Sequence, residues 1–123
     1  MGVDLSCMPI QYGDLKDNKW WLGYTRLSFD RNYDLFANFD GFTRTDKKSK
    51  IVGQLIPRDV KVQIYKDEGC EEVTEDAYGS KLTYCLAGDF KKIKIKRNGD
   101  WNKAIIKFLQ TIPKETPIVL YWH

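Results

Sequence analysis

Residues 100–122 read DWNKAIIKFLQTIPKETPIVLYW, and the hydrophobic period changes once within them. Trp101, Ala104, Ile105, Phe108, Leu109 and Ile112 recur at spacings of three, four and seven, the period of an amphipathic helix, with Lys103, Lys107 and Gln110 turned outward. Asp100 is the expected N-cap, and Pro113 ends the helix because it has no N–H to continue the ladder. Burying such a stripe contributes about 2 kcal/mol per large side chain before entropy is counted. After 113–116 the run Pro117 to Trp122 is apolar at every position, as in a strand inside a sheet with a helix covering one face.

Outward from this pair, strands and short helices alternate. Val3, Leu5 and Cys7 alternate with Asp4 and Ser6, predicting a half-buried strand that stops at Pro9. Residues 20–29 predict a second, aromatic-rich strand. Asp30 then caps a short helix that turns Leu35, Phe36 and Phe39 to one side and ends at Gly41. Val60, Val62 and Ile64 mark a strand with one wet face, Gly79 a turn, Leu82 to Leu86 another strand, and 87–94 a short helix. The expected fold is α+β: a single domain over 1–123 with a mixed sheet of about four to six strands, a C-terminal amphipathic helix on one face, and a mobile basic loop at 43–50. A right-handed crossover through the last helix would make the 82–86 and 117–122 strands parallel.

The 123 residues, 42% hydrophobic and 30% charged, suit one soluble domain. No run is long and apolar enough to span a membrane, and the start carries no leader-like pattern, so a cytoplasmic location is expected. The net charge of +3 is too small to imply nucleic acid by itself, but its distribution is uneven. Six acids and no base lie between Asp67 and Asp76, whereas seven bases lie between Asp89 and Lys107. The acidic stretch reads as a solvated loop. Cys7, Cys70 and Cys85 do not form a disulfide framework or a zinc spacing, so no metal or cofactor is expected.

Three segments together, MGVDLS with Pro9, DAYGSKLTY (76–84) followed by Ala87, Asp89 and Phe90, and NKAIIKFL (102–109) running to VLYWH (119–123), resemble small bacteriophage and prophage proteins of unassigned function. The likeness spans about half the chain and is carried by structural pieces. It implies a phage accessory protein in a bacterial cytoplasm and brings no catalytic residue with it.

Chemistry is sparse. The only histidine, His123, is the one base available to a nucleophile, and only its meeting with Asp4 and Cys7 in a pocket would suggest an enzyme. Glycine-rich phosphate loops are missing from the sequence. The reading is therefore a non-enzymatic protein that works by macromolecular interaction, an inhibitor of a host defence or regulatory protein being one form of it. The expected interface is Trp20, Trp21, Tyr24 and Arg26, aromatics beside an arginine. Nucleic-acid binding through Lys91, Lys92, Lys94, Lys96, Arg97, Lys103 and Lys107 is the alternative. A protein partner is expected, no membrane, and a monomer or homodimer.

Overall fold

In the computed structural model, which describes residues 2–13, 15–22, 26–42, 48–66, 68–94 and 99–123, the first strand does not stop at proline. Strand β1 (Leu5–Tyr12) runs through Pro9. Asp4 and His123 exchange backbone bonds at 2.8 and 2.9 Å. Alternate N–H groups of β1 therefore face the last strand, and Pro9 points its missing donor the other way. On that side β3 (Leu27–Ser28) pairs only as far as Cys7, and β2 (Lys19–Leu22) begins at Ile10. The proline occupies the gap between two partners, where no donor is required.

The remaining strands are β4 (Gln54–Leu55), β5 (Lys61–Lys66), β6 (Gly69–Glu72), β7 (Thr83–Leu86) and β8 (Pro117–Trp122). Among the described residues they form one mixed sheet of eight strands in the order β4-β7-β8-β1-β2-β5-β6, with β3 beside β1. The count exceeds the expected four to six because β3 and β4 are two residues long, too short to show a period. The single strand expected over 20–29 is two strands, β2 and β3, at different places along β1. The acidic stretch is not merely a loop: β6 forms an antiparallel hairpin with β5 and keeps its side chains exposed.

Strands β7 and β8 are antiparallel, not parallel, with Leu86 opposite Pro117. A 3-10 helix (Ala87–Lys92) leaves the sheet and α2 (Asp100–Thr111) follows it before β8. Two helical segments, one going out and one coming back, return the chain to the end it left. A single crossover helix would have carried it to the far end. The amides of Ala87 and Gly88 close this excursion on the carbonyls of Thr116 and Lys114.

Helix α1 is shorter than expected (Tyr33–Phe36) and is capped by Asn32, whose side chain accepts from the Leu35 amide, rather than by Asp30. Gly41 lies beyond it and serves a different need. A Cβ there would come within 2.6 Å of Trp122 Nε1. That indole packs against Phe36, Phe39 and Phe42. Gly79 does hold the positive φ its turn requires, 80°.

Two apolar clusters result. Leu5 and Cys7 of β1, with Ile118, Leu120 and Trp122 of β8, face the helices and the phenylalanines of 36–42. Met8, Ile10, Trp20, Leu22, Val62, Leu82, Tyr84 and Val119 form the second cluster on the other face. There the sheet curls on itself: beyond β6 the Thr74 carbonyl accepts from the Leu82 amide at 3.1 Å, and Glu75 bridges Lys81. Trp20 on β2 thereby meets Tyr84 on β7 edge-on, ring centres 5.0 Å apart.

Candidate interaction surface

Asn102 decides which way α2 faces. The buried amide accepts from the Asp30 N–H at 2.7 Å and donates to the Asp30 carbonyl at 3.0 Å. One side chain thus satisfies both backbone groups of one residue, and leaving a buried group unpaired costs about 1–3 kcal/mol. The inward face is consequently Asn102, Ile105, Ile106 and Leu109. At about 100° per residue this is a roll of roughly 80° from the centre of the apolar stripe read in the sequence. Gly99, not Asp100, is the N-cap residue, and Asp100 occupies the first turn.

The roll leaves apolar surface in solvent. Trp101 is 56% exposed and Phe108 49% exposed, and Ala104 between them is also exposed. The three fall within an arc of about 60° on one flank of the helix. Trp101 is nonetheless held, its Nε1–H donating to the Ser28 carbonyl at 2.7 Å. A large aromatic tethered at one end and open at the other loses little freedom when a partner covers it. Asp100 and Lys107 lie on the opposite side of Ala104, both exposed.

The expected interface is largely redistributed. Trp20 is completely buried and cannot touch a partner, because the curl of the sheet encloses it. Trp21 is half-buried and stacks on Tyr65, with ring centres 5.0 Å apart and planes 23° apart. Arg26 is exposed and lies over the Tyr121 ring at 4.3 Å, while Tyr24 lies outside the described residues. Of the basic set, Lys91, Lys92 and Lys94 are exposed on or just after the 3-10 helix, and Lys92 sits 3.5 Å from Asp89. Lys103 and Lys107 lie on the polar side of α2, and Lys96 and Arg97 lie outside the described residues. Residues 43–47 of the expected basic loop lie outside them too.

Asp4, Cys7 and His123 do not converge. Cys7 is buried on the helix side, where burial, reinforced by Cys85, pushes its thiol well above the ordinary range. Asp4 and His123 are backbone neighbours, but the Asp4 carboxylate is engaged by Arg31 at 2.7 and 3.1 Å, which holds it below the usual carboxylate value. His123 Nε2 instead lies 2.8 Å from Ser6 Oγ, which is 2.7 Å from Ser28 Oγ. Ser6, the hydroxyl that His123 meets, is fully buried, and Ser28 is half-buried. Cys70 is exposed and free.

Burial lowers the His123 pKa below its ordinary 6.5, with Arg26 adding to the fall and Asp4 opposing it. The unfolded chain therefore takes up a proton first as pH drops. Stability is fully present above pH ~6.5 and is lost as pH falls through the lower folded value. Urea midpoints measured from pH 7.5 to 5 are expected to decline in the wild type and to decline less in His123→Gln; equal slopes would refute the coupling.

No helix among the described residues is long and apolar enough to cross a membrane. Comparison with protein-family models, curated proteins and solved structures finds no match.

Proposed function

We propose that the protein acts by binding another protein through the outer face of α2, and not by transforming a substrate. The observation that carries this reading is the Trp101–Ala104–Phe108 flank: two half-exposed aromatics on a helix whose orientation is locked by a buried amide. Interface energy concentrates on aromatics of this kind when they are rigid and become desolvated on binding. The resemblance to phage and prophage proteins supports a setting in a bacterial cytoplasm, with a host defence or regulatory protein as one class of target. The lysines of the 3-10 helix and α2 support a nucleic-acid contact less well, since Lys103 and Lys107 lie on the other flank of α2 from the exposed Trp101 and Phe108, beside Asp100, and Lys92 sits 3.5 Å from Asp89.

The test places a photoreactive benzoylphenylalanine at position 108 and irradiates cells producing the chain. A protein adduct is expected, and Trp101→Ala is expected to abolish it while circular dichroism stays native. An adduct to nucleic acid, or none, refutes the reading.

A further inference from the structure

The geometry points to a second copy of this chain as the protein that α2 receives, its helix packed antiparallel across a two-fold axis at Ala104. This rests on the reading of α2 as a contact face and adds the identity of the partner. A two-fold interface needs a patch that complements itself when turned over. With a rise of about 1.5 Å per residue, Trp101 lies about 4.5 Å to one side of Ala104 along the axis and Phe108 about 6 Å to the other. Turned over, Trp101 arrives within about 1.5 Å in height of the partner's Phe108, on the same flank. Asp100 likewise arrives within about 1.5 Å in height of the partner's Lys107 on the opposite flank.

Each aromatic thus meets an aromatic and each charge meets its opposite. Among the described residues neither Asp100 nor Lys107 takes part in an ion pair, so both charges are available. Ala104 at the axis is small enough for the helices to approach to about 8 Å, the short end of the interhelical range. A parallel pairing fails the same test, because its axis would set the aromatic flank of each copy against the charged flank of the other. Trp101 and Phe108 are only half exposed, so the area falls below the ~800 Å² per partner of a standard interface and the dimer is a weak one.

Sedimentation of the purified chain from about 10 µM to about 1 mM, where an interface of less than standard size becomes populated, is expected to show a monomer–dimer equilibrium. Asp100→Lys or Lys107→Asp alone is expected to weaken it about tenfold or more, and the double swap to restore it, as charge complementarity requires. In a Cys70→Ser background, Ala104→Cys is expected to form an intermolecular disulfide under mild oxidation and Thr111→Cys is not. Position 111 would lie about 21 Å from its mate, far beyond disulfide reach.

A chain with native circular dichroism that stays monomeric throughout overturns the dimer, and equal cross-linking at 104 and 111 overturns the register. The photoadduct at position 108 separates the two claims. An adduct of about twice the chain mass agrees with both. An adduct to a different protein beside a monomeric purified chain removes the dimer and leaves the contact face standing. No adduct removes both.

Discussion

Trp20→Ala is expected to lower the unfolding free energy by ~3–5 kcal/mol, as removal of a fully buried indole does. The side chain sits in the second cluster with Leu22, Val62 and Leu82 and lies edge-on to Tyr84. Its removal would open a cavity where β2 and β7, far apart in strand order, are drawn together. Trp101→Ala is the control. Its ring is more than half in solvent and its one polar contact is a single hydrogen bond, so the loss should be about 1 kcal/mol. Denaturant unfolding of the two variants reads the difference. A Trp20→Ala loss as small as that of Trp101→Ala would mean that the sheet does not close over this residue.

The second large effect belongs to Asn102. Asn102→Leu keeps the number and branching of the side-chain heavy atoms but removes both partners of the Asp30 backbone, two hydrogen bonds worth about 0.5–1.5 kcal/mol each. A loss of ~1–3 kcal/mol follows from the two bonds together. The same variant should free α2 to roll toward its wider apolar face, drawing Trp101 out of solvent and changing its fluorescence. Hydrogen exchange at the Asp30 amide should quicken in parallel. An unchanged denaturation midpoint with unchanged exchange would show that α2 is oriented by its apolar residues alone.

Much of the local structure was legible because it depends on neighbours in the chain. The period of 101–112, the two-faced run of 117–122, the alternation of 82–86 and the glycine turn at 79 each carry their reason within a few residues. The rotation of α2 was half legible. Ile106 lies outside the stripe, and counting it widens the apolar arc to about 200°, more than one packing face covers. That excess was the available signal for an exposed apolar flank. Which flank would be exposed was not readable, because the deciding hydrogen bonds reach 72 residues back to Asp30.

The aromatic pair at 20 and 21 illustrates the same boundary. Alternation in a strand requires Trp20 and Trp21 to face opposite ways, and they do. Alternation cannot say which face will be enclosed. That depended on β5 lying parallel to β2, some forty residues along the chain, and on the carbonyl of Thr74 then meeting the amide of Leu82 across the turn that leads into β7. The direction of β8 against β7 belongs with it, since the outgoing 3-10 helix and the returning α2 decided the strand direction together. Period and capping are properties of a short stretch of chain and can be read from it. Register, curl and helix roll are set by hydrogen bonds and packing between distant segments, which exist only once the chain has folded.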